Sequence, residues 1–330
     1  TVLLQAFTTA QENYSRVRIF GTDAELNEAM QLGITMDHGQ HKRDHWFMTD
    51  LSETEIQLLE SHGFSYEIVI ADVSAYYVAN SLSTEFEHAD GERSTCSTSG
   101  SGSSFPVTTP SNWQLGSMAG FYTYQEFLDE LDSMASKYPN LISARAPISS
   151  FTSIEGRPIY WVRLSDNPNT DETEEEVLYS ALHHAREPAS LSQLIFYMWW
   201  ILENYGVNDE VTYLVDETEM YFVPMINPDG YIYNETTSPG GGGMHRKNRR
   251  NVGTSNKGVD LNRNYSYQWG TSGISFSPNN DTYCGTAAFS EPETQAMKWF
   301  CENHDFEFAF NAHTHGNLLL FPMGWSDTDF

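Results

Sequence analysis

His184 and Glu187 lie in the stretch Leu182-His183-His184-Ala185-Arg186-Glu187-Pro188, where a strand-like run gives way to a long apolar helix. An imidazole and a carboxylate three residues apart can hold one metal ion if a third ligand arrives from elsewhere. Alone, so short a pattern is more often a surface His and Glu. A second strand-like run, 308–312, delivers His313 to its end just as residues 177–182 deliver His184. Two strand ends of one sheet bring such side chains together. His184, Glu187 and His313 would then make a His2Glu zinc site with one position open for water. Zinc in such a site lowers the pKa of its water to roughly 7 and polarises a carbonyl.

Two basic stretches suit a substrate that carries a carboxylate. One is Asn262-Arg263, after Gly258-Val259-Asp260-Leu261; the other is His245-Arg246-Lys247-Asn248-Arg249-Arg250. The chain has only 17 Lys and Arg against 45 Asp and Glu, so the cluster stands out. Arginine presents a planar fork that grips a carboxylate through two hydrogen bonds. The net charge of −28 argues against nucleic acid and anionic membrane surfaces as partners. Three Cys exclude a disulfide-dense scaffold, and no pair is spaced as a thiolate zinc site. The apolar run at 191–202 is too short to span a membrane.

The elements that must position these residues follow from periodicity. From Phe121 the pattern is that of a large globular domain. Thr123 with Glu126 makes a capping box, opening a helix that Pro139 ends. Residues 160–164, 177–182, 220–226, 307–312 and 318–321 read as strands, and 191–204 as a buried helix. Asn227-Pro228-Asp229-Gly230 reads as a turn. Strands alternating with helices predict an α/β fold, a mixed and mainly parallel sheet with helices on both faces and sites at strand ends. Residues 14–78 read as a small α+β unit, β-α-β-α-β. Its capping boxes are Thr22/Glu25 and Ser52/Glu55, and His38, His41, His45 and His62 read as surface residues. Residues 81–112, rich in Ser, Thr and Gly, read as a linker in which Arg93 offers a cut site to a trypsin-like protease, with an uncut tether as the alternative. Residues 1–10 read as the tail of a secretory signal peptide or as a short irregular N-terminus.

The motifs His184-Ala185-Arg186-Glu187, Asn227-Pro228-Asp229-Gly230, Arg246-Lys247-Asn248-Arg249, 258–264 and 313–322 occur in one order. In that order the chain resembles zinc metallocarboxypeptidases of the carboxypeptidase A type, the bacterial carboxypeptidase T branch in particular, over about residues 120–325. The resemblance implies a division into signal remnant 1–10, pro-domain 11–80, linker 81–112 and catalytic domain 113–330. It implies a secreted zymogen that removes the C-terminal residue of peptides or proteins after an activating protease cuts the linker. His184, Glu187 and His313 match the zinc ligands. Arg246 matches the arginine that polarises the scissile carbonyl, Asn262 and Arg263 the pair that holds the terminal carboxylate, and Arg186 a further substrate-binding arginine. His315 stands where an aromatic is common and is expected to line the substrate. The family's general-base Glu and closing Tyr have no match, so the sequence is expected to be cut short at both ends and, as given, to hydrolyse poorly. The acidic loop, with Asp171, Glu172, Glu174 and Glu176, resembles a calcium-binding loop, a solvated charge run being the alternative. Cys284 and Cys301 are a possible disulfide. A zinc deacylase of N-acyl amino acids and a non-catalytic protein that binds peptide C-termini remain the rival readings.

Overall fold

The computed structural model describes residues 13–36, 38–80, 107–254, 257–314 and 319–320. The N-terminal unit is a four-stranded antiparallel sheet in the order β2-β3-β1-β4, built from β1 (Tyr14–Phe20), β2 (Gln40–Lys42), β3 (Trp46–Ser52) and β4 (Ser65–Ile70). Alternation on β1 buries Val17 and Ile19, which pack with Leu26, Ala29, Leu51 and Leu59. Both expected capping boxes form, Thr22 with Glu25 on α1 (Asp23–Gln31) and Ser52 with Glu55 on α2 (Glu53–Ser61). The short edge strand β2 and the helix α3 (Val73–Asn80) were not legible in the β-α-β-α-β pattern. Three residues, and an eight-residue apolar run without a capping signal, leave little periodicity to read.

The larger unit is a five-stranded sheet, β5-β6-β8-β7-β9, with β5 (Ala146–Thr152), β6 (Pro158–Leu164), β7 (Glu175–Ala181), β8 (Thr218–Val223) and β9 (Phe306–Ala312). β7 runs parallel to β8 and β9, while β6 is antiparallel to β5 and β8, so the sheet is evenly mixed. Alternation on β6 explains the two layers. Val162 and Leu164 face a cluster that includes Leu131 of α4 (Tyr124–Lys137), Ile195 of α5 (Pro188–Asn204) and Val215 of α6 (Asp209–Glu217). Ile159 and Trp161 face Ala296, Met297 and Phe300 of α8 (Pro292–Glu302) on the other side. Helices therefore cover both faces, and α5 is buried on most sides. Among the described residues no helix is long and apolar enough to cross a membrane.

Several expectations change. Asn227-Pro228-Asp229-Gly230 is not an isolated turn but opens the helix α7 (Pro228–Thr237). The Asn227 side chain accepts from Gly230 N at 3.0 Å, and Pro228 takes the first helical position, where its missing N–H costs nothing. Cys284 and Cys301 are free thiols: Cys284 is buried in the loop where Asn264 and Trp269 donate to its carbonyl, and Cys301 lies at the end of α8. Their spacing placed them about a helix, but a bridge needs facing Cβ vectors, which spacing does not supply. The last residues of the expected linker are packed, with Ser111 N and Asn112 N donating to the Glu203 carboxylate of α5 at 2.6 and 2.8 Å. The signal remnant, Arg93 and His315 lie outside the described residues, as do two of the four residues of the strand expected at 318–321, whose Leu319 and Leu320 are exposed and in no strand. Replacing Ile195 by Ala should lower the unfolding free energy by about 2–5 kcal/mol, read from a shift in the denaturant midpoint; a loss below about 1 kcal/mol would mean that this helix face is not core.

Candidate metal centre

The parallel pairing of β7 and β9 decides where the site forms. Its register sets Ala181 opposite Ala312, so both strands end together and release His183–His184 and His313 at one sheet edge. Leu182 follows at φ 54°, a left-handed conformation that is uncommon for a branched side chain and turns the chain sharply out of the sheet. The bend is held by neighbours: Asn227 N donates to Leu182 O, Asn227 Nδ2 to His183 O, and Ala185 N to Arg246 O. Gly230 allows this close approach, because a Cβ there would meet Lys247 O at 2.6 Å and Ala185 Cβ at 2.8 Å. Glu187 stands at the N-cap position of α5, immediately before Pro188, and its side chain is turned to other partners rather than capping the helix.

The result is a buried carboxylate among imidazoles. His184 Nδ1 lies 2.7 Å from Glu187 Oε1, and His313 Nδ1 lies 2.8 Å from Glu187 Oε2. A further imidazole, His38 of the N-terminal unit, reaches the same point, with Nε2 2.9 Å from Glu187 Oε1 and 3.1 Å from His313 Nδ1. One ligand atom from each of His38, His184, Glu187 and His313 lies within 4.8 Å of all the others. Donors around tetrahedral zinc stand roughly 3.3 Å apart for bonds of about 2.0–2.1 Å, near the 2.7–3.1 Å separations of these contacts, so the residues present suit zinc. Burial pushes the Glu187 carboxyl up, but the charge and hydrogen bonds of His184, with those of His313 and His38, outweigh it and hold it well below the usual carboxylate range. Burial lowers His313, which keeps its imidazole neutral and able to ligate.

Asp260 completes the surroundings and was not singled out in the sequence. Its Oδ1 accepts from His184 Nε2 at 3.2 Å, while Oδ2 accepts from Arg246 Nη2 at 2.7 Å and Nε at 3.0 Å. A carboxylate on the far nitrogen fixes the imidazole with Nδ1 toward the metal. Burial raises Asp260, but Arg246 and His184 overcome this and hold it ionised. Asp260 also caps the 3-10 turn Leu261–Arg263, accepting from Asn262 N, so one carboxylate ties together the His184 ring, Arg246 and the Asn262–Arg263 turn. Gly258, at φ 104°, lets this segment pass within contact of Asn248 O, where a Cβ would stand 2.0 Å away. Arg263 Nε donates to Gly273 O. Arg186 pairs with Asp281 at 3.0 Å beneath the Tyr14 ring, and Tyr14 itself donates to Asp281. His183 is buried between Asn311 and Tyr265 and takes no part in the cluster. The acidic loop divides. Glu172 and Glu174 group with Asp166, whereas Asp171 and Glu176 group with Glu219, near Arg163 and His304.

Asp260→Asn should weaken zinc binding about 10- to 100-fold in a chelator competition, because the His184 ring loses its anionic support; unchanged affinity would remove Asp260 from the site. A second outcome concerns pH. His245, whose Nε2 contacts Asn248 O at 3.1 Å, is driven from its ordinary 6.5 down to about 3, first by burial and then by Arg249. The unfolded chain therefore takes up a proton that the folded chain refuses. Stability is full above pH 6.5 and falls by up to about 1.4 kcal/mol per pH unit as pH drops toward 3. His245→Gln should flatten that part of the stability–pH curve; an unaltered slope would contradict a buried neutral His245.

Comparison with known proteins completes the site's context. The profile of the zinc carboxypeptidase family, peptidase M14, matches residues 127–330. A zinc carboxypeptidase of Saccharothrix mutabilis subsp. capreolus is 32% identical over 64% of this chain and 48% of its own length. Human carboxypeptidase A1 is 30% identical over 81% of this chain and 57% of its own length. The chain thus spans about half the length of these curated relatives. Among solved structures, carboxypeptidase A from Helicoverpa armigera shares the fold, with a TM-score of 0.66 at 20% identity over 93% of this chain and 71% of that one. Thrombin-activatable fibrinolysis inhibitor gives a TM-score of 0.65 at 19% identity over 96% and 75%. With its His2Glu cluster at paired strand ends and a family match over more than half its length, the chain belongs to the zinc carboxypeptidase family, a family of hydrolytic peptidases.

Proposed function

We propose that this chain is the zymogen form of a secreted metallocarboxypeptidase that hydrolyses the C-terminal bond of peptides. The observation that carries the reading is the convergence of His184 Nδ1, His313 Nδ1 and the Glu187 carboxylate beside a buried Arg246. Zinc held by these three residues would supply an activated water and a Lewis acid for the scissile carbonyl. Arg246 is fixed by two bonds to Asp260 and only 1% exposed, so its guanidinium would meet a developing oxyanion from a preset position. Asn262 and Arg263, on the turn that Asp260 caps, would receive the terminal carboxylate, with Arg186 and His315 along the substrate's path. Residues 11–80 serve as the pro-domain, since Tyr14 covers Arg186 and His38 enters the metal cluster. An activating protease would cut within 81–112, and the apolar run of residues 1–10, ending in the small residues Thr8-Thr9-Ala10, supports export. Calcium belongs to the reading at Asp166, Glu172 and Glu174, where one oxygen each of Glu172 and Glu174 is buried without a hydrogen-bond partner.

The test compares peptides that end in a free carboxylate with the same peptides amidated, using chain cut in the linker by a trypsin-like protease and loaded with zinc. Binding should favour the carboxylate form about 10- to 100-fold, the worth of a charged hydrogen-bond pair. Arg263→Ala should erase the preference, and any hydrolysis should be confined to the last bond and vanish with a chelator. Equal binding of the two peptides would contradict the proposal. Turnover of N-acyl amino acids alone would favour a deacylase, and binding without turnover by the full-length protein a non-catalytic role.

A further inference from the structure

Among the described residues three imidazoles surround Glu187, and two of them come from the catalytic sheet. The third, His38, comes from the loop between α1 and β2, in the unit proposed as the pro-domain. We infer that His38 is a fourth zinc ligand, which closes the open coordination position and holds the uncut chain latent. This rests on the metal-site reading and adds to it a chemical account of inhibition.

Three observations carry the inference. The first is direction: His38 Nε2 approaches both a Glu187 oxygen (2.9 Å) and His313 Nδ1 (3.1 Å), and its ring lies 5.1 Å from the His184 ring. It thus faces the point on which the other three donors converge rather than one of them alone. The second is burial. The His38 side chain is 12% exposed, although its sequence neighbours are polar. The third is that its loop is fastened from both sides. Thr35 N donates to Glu55 Oε1 within the unit, and Gly33 O accepts from Thr282 Oγ1 of the larger unit. Gly39, at φ 155°, presses the loop against β3, where a Cβ would stand 2.2 Å from Met48 O.

Zinc with three protein ligands keeps one position for water and is catalytic; zinc with four is closed. An imidazole carried on the same chain competes with water at a high effective concentration, so it holds the position while the tether lasts. Cutting the tether turns His38 into a ligand on a separate piece, which can dissociate and leave the position to water. No bond to the metal has to be made by anything outside the chain.

X-ray absorption at the zinc edge of the uncut, zinc-loaded chain counts imidazoles directly and needs no variant. The inference requires three imidazoles and one carboxylate; two imidazoles with an extra oxygen donor would overturn it. With Co2+ as the probe, azide should leave the visible spectrum of the uncut chain unchanged and shift that of His38→Ala. Zinc should also leave His38→Ala for a chelator about tenfold faster or more. Identical spectra and release rates in parent and His38→Ala would overturn the inference even with zinc bound. His184→Ala separates the two levels: if it binds zinc as the parent does, the site reading itself fails. If His184→Ala loses zinc while His38→Ala behaves as the parent, only the fourth-ligand inference fails.

Discussion

The Glu187 carboxylate, buried and met by three imidazoles, is the interaction on which the rest of this structure depends. A lone ionised carboxylate in such a place would be costly, and so would a cluster of imidazoles with no anion among them. Each makes the other tolerable, and a divalent cation resolves both. The fold around them acts to hold the donors in place. α5 fixes Glu187 at its first turn, the β7–β9 register brings two strand ends level, and the strained Leu182 turns His184 inward.

Asp260 extends that logic one step outward. It meets His184 on the nitrogen turned away from the cluster, holds Arg246 by two bonds, and caps the turn that carries Asn262 and Arg263. The His184 ring, the cation beside it and the turn are therefore tied to one carboxylate. Such sharing explains why Arg246, Lys247, Asn248 and Asp260 are buried despite their polarity, each about 1% exposed or less. The N-terminal unit closes over the same region. Tyr14 seals the Arg186–Asp281 pair, and Tyr14, Val73 and Met244 form a small apolar cluster across the seam.

His184, Glu187 and His313 were legible because each stands at the end of a hydrophobic run whose period is local information. The capping boxes at Thr22, Ser52 and Thr123 were legible for the same reason, since Ser/Thr and Glu three apart need only one helical turn. Asp260 was passed over although it lies inside the stretch that held attention. Its spacing to Asn262 and Arg263 was the available signal, and its bond to His184 was not. His38 was read as a surface residue because Gly39 and Gln40 beside it are small or polar. Nothing in a local window reports that another unit will pack there. The Cys284–Cys301 pairing and the isolated turn at Asn227 failed for related reasons. A disulfide depends on tertiary geometry, and Asn-Pro is as good a helix start as a turn signal.

The most direct test of the account is anomalous diffraction at the zinc edge from crystals of the chain with one equivalent of Zn2+. The account predicts a single strong peak bounded by His184 Nδ1, His313 Nδ1 and the Glu187 carboxylate. A peak elsewhere, or none at this cluster while the chain remains folded, would contradict it.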